Sequence, residues 1–104
     1  MPQIHFAADN ATPVEPAYSD AVGPVYRTGT VEVAQIHFKA GEGARPHHHP
    51  EEQAVVLLQG RMRVRLGTET FEAGPGDAWH VPSEVEHEVR CLQDAVGVSF
   101  KRLG

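Results

Sequence analysis

Arg61-Met62-Arg63-Val64-Arg65-Leu66 alternates without interruption between an arginine and an apolar residue. Successive side chains of a strand point to opposite faces, so this period of two predicts a β-strand with one buried face and one charged face. The arginine row is either a solvated outer face or a clamp for an anionic substrate. Gly67 ends the strand, and residues 68–73 are predicted to return beside it as a hairpin partner.

Short apolar segments on both sides of this strand extend the pattern. Residues 30–39 carry apolar side chains on both faces, which predicts a strand that is covered on both sides. The turn sequence Gly74-Pro75-Gly76-Asp77 and the pair Gln93-Asp94 separate further segments. Strands are predicted at residues 54–58, 78–81, 85–92 and 95–102. Because no segment sustains a helical period, the sequence predicts an all-β sandwich or barrel.

Prolines and glycines interrupt the chain before residue 30 too often for a long helix. These residues are Pro13, Pro16, Gly23, Pro24 and Gly29. We therefore predict one domain over residues 1–104, with an irregular N-terminal segment at 1–29 and a barrel at 30–104. Within the first segment, residues 3–6 are a candidate for a short strand that pairs with the sheet edge of a neighbouring subunit.

Composition indicates an ordinary globular domain with a negative net charge. The chain has 104 residues, of which 40% are hydrophobic and 22% are charged, and its formal net charge is −5. Neither nucleic acid nor an anionic membrane is expected as a partner, because both require a basic face. A single cysteine, Cys91, excludes an internal disulfide and fits a reducing compartment. With no basic and apolar leader and no long apolar span, we expect a cytoplasmic location.

Three consecutive histidines, His47-His48-His49, precede the apolar run at residues 54–58. In a regular strand His47 and His49 share one face, His48 takes the other, and Gln53 returns to the face of His49. Two imidazoles and an amide oxygen form part of a metal site, and His87 is the best candidate for the remaining ligand. The alternative is a solvated polar turn that is rich in histidine.

The spacing of these residues resembles a known sequence motif. The pattern Gly41-x5-His47-x-His49-x3-Gln53-x6-Gly60 is similar to the first motif of the cupin family, in which glutamate usually stands where this chain has Gln53.

A second pattern, Gly76-x5-Pro82-x4-His87, is similar to the second cupin motif. Here Glu84 replaces the usual glycine and Cys91 replaces the usual asparagine. The two motifs and the strands between them cover roughly half of the chain, and they occur in the expected order. The resemblance implies a double-stranded β-helix, which is a small jelly-roll barrel.

The resemblance also implies a metal site that holds one divalent transition metal, either Zn, Ni, Mn or Fe. Its ligands would be His47, His49, Gln53 and His87. The carboxylates of Glu51 and Glu52 are rival ligands or charges at the rim. Residues predicted to line the pocket are His37, Met62, His80, Cys91 and Phe100. In the final strand, Val96, Val98 and Phe100 are predicted to face together.

A ligand set without a carboxylate leaves the full charge of the ion within the site, which favours Lewis-acid chemistry on an anionic substrate. Such a set is similar to that of the cupins that linearise unsaturated uronates in pectin and alginate degradation. That subgroup carries an acidic residue two positions before the phenylalanine of the last strand. This chain has Val98 before Phe100, so a general acid or base is missing at that position.

Three functions therefore follow from the resemblance. The first is a metal-dependent enzyme that isomerises or ketonises a small, oxygenated, anionic metabolite. The second is an iron-dependent dioxygenase, because the fold alone does not decide the chemistry. The third is a non-catalytic module that senses a small molecule or a metal. A small-molecule ligand and a second copy of the chain, forming a homodimer, are the expected partners.

Overall fold

The computed structural model describes Gln3 and residues 12–104, so the candidate strand at residues 3–6 lies outside the described part except for Gln3 itself. The described residues form strands and turns without a helix, which confirms the all-β prediction. In this part of the chain no helix is long and apolar enough to span a membrane. The strands are β1 (Val25–Arg27), β2 (Val31–Phe38), β3 (Gly43–His47), β4 (Gln53–Leu66), β5 (Glu69–Ala73), β6 (Ala78–Val81) and β7 (His87–Arg102).

Two long strands, β4 and β7, form the centre of an antiparallel sheet with the order β1-β2-β7-β4-β5. One edge of β7 pairs with β4. The opposite edge of β7 pairs with β3 near the start of β7 and with β2 along the second half of β7. In the same way β4 pairs first with β6 and then with β5. Each long strand therefore has two short partners on its outer edge, and the curled sheet closes into the predicted barrel.

The long strands correct the predicted boundaries around Gly60 and Gln93. The sequence predicts separate strands on each side of Gly60 and of the pair Gln93-Asp94. In the structure β4 continues through Gly60, and β7 continues through Gln93-Asp94. Their register shifts between Leu57 and Met62, which marks an irregular, bent region. Gly60 has φ +88, and a Cβ there would collide with the backbone of Asp94. The glycine therefore permits a bend, not a strand end.

The alternating stretch in the second half of β4 has the predicted orientation. Met62 and Val64 are fully buried, whereas Arg61 and Arg63 point outward to Glu72, with N–O distances of 3.0 and 3.5 Å. The next arginine of the row pairs with two glutamates at the start of β7. The arginine row is therefore a solvated, ion-paired outer face. The buried core contains Val14, Ala21, Ala34, Phe38, Val55, Leu57, Met62, Val64, Ala73, Trp79, Val81, Cys91 and Ala95.

The described part of the N-terminal segment, residues 12–29, contains regular structure as well as turns. It contains β1, which pairs with β2, and its residues 12–22 lie against the barrel as an N-terminal strap. The strap folds back on itself through a hydrogen bond of 2.9 Å from the amide of Val14 to the carbonyl of Ala21, and both residues are buried. Isolated bridges join it to β2 and β3, so the strap forms part of the barrel wall.

Candidate metal centre

Three histidines from separate parts of the chain converge inside the barrel. His47 ends β3, His87 begins β7 directly opposite it, and His49 lies in the loop that follows β3. One ring nitrogen from each residue can be chosen so that all three lie within 4.8 Å of one another. This spacing is suitable for three ligands of one ion.

Backbone carbonyls fix the protonation of all three rings. The Nδ1 atoms of His47, His49 and His87 lie 2.6, 2.8 and 2.8 Å from the carbonyl oxygens of residues 45, 51 and 85. A carbonyl oxygen only accepts a hydrogen bond, so each Nδ1 carries the proton and donates it. Each Nε2 therefore presents a lone pair, which is the form that binds a metal.

The Nε2 atoms of His49 and His87 are buried and have no hydrogen-bond partner among the described residues. A buried acceptor without a partner costs about 1–3 kcal/mol, and folded proteins rarely leave one unsatisfied. An ion that binds the lone pairs of both Nε2 atoms, together with the imidazole of His47, would explain why they have no hydrogen-bond partner. The donor set consists of neutral imidazoles, which suits Zn, Ni and Fe. The site therefore fits a divalent transition metal.

The electrostatic environment keeps His47 and His87 neutral. The pKa of His87 is lowered to about 4, mainly by burial and also by the neighbouring histidines, against the opposing effect of its hydrogen bond to Val85. Burial also lowers the pKa of His47. Neutral imidazole is the ligating form, so the rings are ready to bind a cation near neutral pH without first losing a proton.

Gln53 begins β4 and lies in the same cup wall as His47 and His87. Its Nε2 donates a hydrogen bond of 2.7 Å to the hydroxyl of Ser99. Because this bond engages the nitrogen, the amide oxygen is the group that remains available to a ligand. Gln53 thus lines the same cup as His47 and His87.

The other polar residues of the loop point away from this centre. His48 is exposed and its Nδ1 lies 3.1 Å from Glu84, whereas Glu52 binds His80 at 2.7 Å on the surface. The carboxylate of Glu51 lies 3.8 Å from Nδ1 of His49, on the side of the ring away from its free nitrogen.

His48 points away from the centre and Gln53 lines the cup, but strand alternation is not the reason. Residues 48–52 form a loop between β3 and β4, where one regular strand had been expected. Strand alternation therefore cannot place His49 or Gln53. The pairing of His47 with His87 and the start of β4 bring these side chains together.

Of the predicted pocket residues, only Met62 lies in the cup wall. His37 binds the side chain of Gln35 at 3.1 Å, outside the cup. His80 is on the surface with Glu52. Cys91 is buried in the core, where its thiol lies beside backbone carbonyls and burial raises its pKa. These three predictions are corrected because each side chain has a different partner.

Phe100 is also outside the cup, with 46% of its surface exposed. The prediction assumed that the apolar residues of the last strand face inward. In the structure Ser99 and Lys101 are buried and line the cup, so the intervening residue faces outward. From residue 98 to residue 101, β7 thus has Ser99 and Lys101 inside and Val98 and Phe100 on the outer face.

This inversion reveals functional candidates that the hydrophobic pattern missed. Lys101 is only 8% exposed, and its Nζ lies 3.3 Å from the hydroxyl of Tyr18 and 3.6 Å from Glu15. The ring of Tyr18 stacks on His47, with centroids 3.6 Å apart and planes inclined by 16°. Burial raises the pKa of Tyr18, with an opposing contribution from Lys101. The sequence does contain a signal for these residues. Ser99 and Lys101 follow the buried Ala95 by even numbers of residues, so all three lie on the same face of the strand.

The cup has a free volume of about 70 Å³, in addition to its open mouth. A wider groove of about 520 Å³ runs along the outside, but it is lined by Arg63, Arg65 and Arg90 and contains none of the three histidines. The smaller cup therefore carries the coordination chemistry, and only a small ligand fits beside an ion there.

The fold and the site together define a small antiparallel β-barrel with a three-histidine centre in its cup. Residues 34–100 match the cupin domain family, and the chain therefore belongs to that family. Among the curated proteins, none is similar enough in sequence to count as a match.

Solved structures extend the similarity to nearly the whole chain. KdgF from a Halomonas species has a TM-score of 0.79 and 23% identity, with 99% of this chain and 96% of that chain covered. An RmlC-like cupin from Shewanella frigidimarina has a TM-score of 0.72 and 19% identity, over 81% of this chain and 73% of that chain. TT1209 from Thermus thermophilus has a TM-score of 0.73 and 22% identity, over 85% and 86%. At these identities the similarity establishes the fold.

Proposed function

We propose that the protein is a metal-dependent cupin enzyme that acts on a small, oxygenated, anionic metabolite by non-redox chemistry. The observation that carries the proposal is the pair of buried, unpartnered Nε2 atoms of His49 and His87 beside His47. Two buried acceptor nitrogens without a hydrogen-bond donor are costly in a folded protein unless a cation binds them.

Gln53 is the proposed fourth ligand, because its amide nitrogen is engaged by Ser99 and its oxygen is available. The four ligands would then be neutral, and a bound divalent ion would retain its charge and polarise the oxygens of a substrate. Zn, Ni, Mn and Fe remain the candidate metals.

Polar groups of this chain provide the remaining parts of a catalytic site. The buried ammonium of Lys101 adds a positive charge to the cup, which favours an anionic ligand. The hydroxyl of Tyr18 can hold or pass a proton beside the ring of His47. A sensor of an anionic ligand could use Lys101 as well, but it would need no proton-transfer group, so the hydroxyl of Tyr18 is the group that favours an enzyme.

A sugar acid is the proposed class of substrate. The support is the resemblance of the three histidines and Gln53 to the uronate-linearising cupins, together with the similarity to KdgF over 99% of the chain. The valine at position 98 does not weaken this proposal, because the residues of β7 that face the cup are Ser99 and Lys101. A carboxylate at position 98 would point away from the site.

The test uses protein loaded separately with Zn, Ni, Mn and Fe and supplied with an unsaturated monouronate, with and without oxygen. We expect bound metal and loss of the substrate's double-bond absorbance under both conditions. Turnover only with Fe and oxygen would establish the dioxygenase alternative. Tight uronate binding without any turnover would establish the sensor. A protein that retains no metal would contradict the whole proposal.

We also propose that the protein forms a homodimer through the outer face of the sheet. Phe100 pairs with Val33 on one side and Ala54 on the other, and Val98 pairs with Val56. These side chains form an apolar surface in which Phe100 is largely exposed. Because a twofold dimer brings one surface against its own copy, an apolar face of this kind is self-complementary.

A further inference from the structure

Lys101 is a buried cation with few partners. Its side chain is 8% exposed, yet the only hydrogen bond to its ammonium within residues 12–104 is that of 3.3 Å with Tyr18. An ammonium has three N–H donors, so most of its capacity for hydrogen bonds is unused. The residue lines the same cup as His47 and His87, and its charge contributes to the lowered pKa of both.

The charge of Lys101 is balanced by Glu15, which belongs to the N-terminal strap. The carboxylate of Glu15 lies 3.6 Å from the ammonium, beyond the usual range of a hydrogen bond, and 4.0 Å from the guanidinium of Arg27. Arg27 makes its closer contact, of 3.2 Å, with the buried Glu32. The carboxylate of Glu15 is therefore held loosely between two cations.

Of the two carboxylates in this group, Glu15 can move into solvent more readily. Its side chain is 36% exposed, whereas those of Lys101 and Glu32 are 8% and 5% exposed. Its backbone has φ +52, a conformation that is unfavourable for a residue other than glycine and that the turn of the strap maintains. Movement of this side chain into solvent would free Lys101 without disturbing the pair of Arg27 and Glu32.

We propose that Lys101 is the anchor for the carboxylate of the ligand, and that Glu15 occupies this anchor until the ligand displaces it. The exchange is non-covalent: the ligand carboxylate takes the contact with the ammonium, and the carboxylate of Glu15 moves into solvent beside Arg27. This inference rests on the proposed function, because it assumes an anionic ligand in the metal-containing cup. It makes the strap a determinant of ligand affinity.

The experiment measures binding of D-galacturonate and of uncharged D-galactose to the Zn-loaded protein by calorimetry. Lys101→Met is expected to weaken galacturonate binding by about tenfold or more, because it removes a desolvated partner of the carboxylate. Glu15→Gln is expected to tighten it several-fold, because the internal competitor is lost. Lys39→Met and Glu69→Gln, at exposed positions away from the cup, are the matched controls and should bind as the wild type does.

Elemental analysis of the same samples separates this inference from the function on which it rests. If all the proteins retain zinc but Lys101→Met binds galacturonate normally, the anchor is wrong and the metal centre stands. If Glu15→Gln binds less tightly, the carboxylate supports the site and the exchange is contradicted. Equal binding of galacturonate and galactose by the wild type would also overturn the inference. Loss of zinc from the wild type would instead contradict the proposed function.

Discussion

His47 and His87 lie directly opposite each other on β3 and β7, with ring centroids 4.1 Å apart. Strand pairing therefore fixes two of the three imidazoles, and the short loop after β3 adds the third. Both strands end or begin at these residues, so the centre lies towards one end of the barrel interior. A rigid sheet with its polar groups at one end positions ligands more accurately than a mobile loop.

Removal of any one of the three imidazoles should lower the metal content. We expect His47→Ala, His49→Ala and His87→Ala each to weaken metal binding by at least about 10–100-fold, since loss of a mere supporting contact already has effects of that size. His48→Ala is the matched control, because its side chain points to Glu84. Elemental analysis of purified proteins measures the effect. Equal losses in all four variants would contradict the geometry of the centre.

The metal-free protein should lose stability as the pH falls from about 6.5 towards 4. In the unfolded chain His87 has its ordinary pKa of 6.5, whereas burial holds its pKa at about 4 in the folded protein. Between these values the unfolded state binds the additional proton, so the free energy of unfolding decreases as the pH decreases. The full difference amounts to about 3 kcal/mol, at roughly 1.4 kcal/mol per unit of pKa.

Urea unfolding of chelator-treated protein at several pH values measures this effect. Carboxylates also titrate near pH 4, so the informative quantity is the difference between the wild type and His87→Gln. The difference in the free energy of unfolding between the two proteins should change with pH by the amount that one imidazole contributes. Parallel curves for the two proteins between pH 6.5 and 4 would show that His87 does not have a lowered pKa.

Gln53→Glu should strengthen metal binding and weaken binding of an anionic ligand. A carboxylate adds a negative charge to the centre, which attracts the cation and reduces the positive charge presented to the ligand. The hydroxyl of Ser99 can donate to the new carboxylate in place of accepting from the amide, so the local contact is retained. Calorimetry with Zn and then with galacturonate measures both effects. Unchanged metal affinity would indicate that Gln53 is not a ligand.

The sequence predicted the fold and the three histidines better than it predicted the rest of the cup. Strict alternation at residues 61–66 and the motif spacing were sufficient because each depends on local regularity. The predicted orientation of the end of β7 was wrong, because Phe100 lies on the outer face and Ser99 and Lys101 line the cup. Only the pairing with β4 at Ser99 and Lys101 establishes that phase. The part played by Glu15 depends on a strap that folds back across the barrel, which has no periodic signal.

Gly60→Ala should destabilise the protein more than Gly29→Ala does. Residue 60 has φ +88, and an added Cβ would meet the backbone of residues 93–95 where β4 and β7 bend together. Strain of this kind costs about 1–3 kcal/mol, and backbone collision adds to it. Gly29→Ala is the control, because a Cβ there has open space and the φ is not positive. Thermal unfolding should show a lower midpoint for Gly60→Ala only; equal midpoints would exclude a special role for this bend.

Phe100→Asp should dissociate the proposed dimer without affecting the metal centre. The side chain is 46% exposed at the middle of the apolar outer face, and its neighbour Lys101 points into the cup on the other side of the sheet. A buried aspartate at a twofold interface would face its own copy, and two like charges without partners oppose association. Thr70→Asp, at an exposed position of β5, is the control. Light scattering after size exclusion should give a dimer for the wild type and Thr70→Asp and a monomer for Phe100→Asp, with equal zinc in all three. A monomeric wild type would contradict the proposed interface.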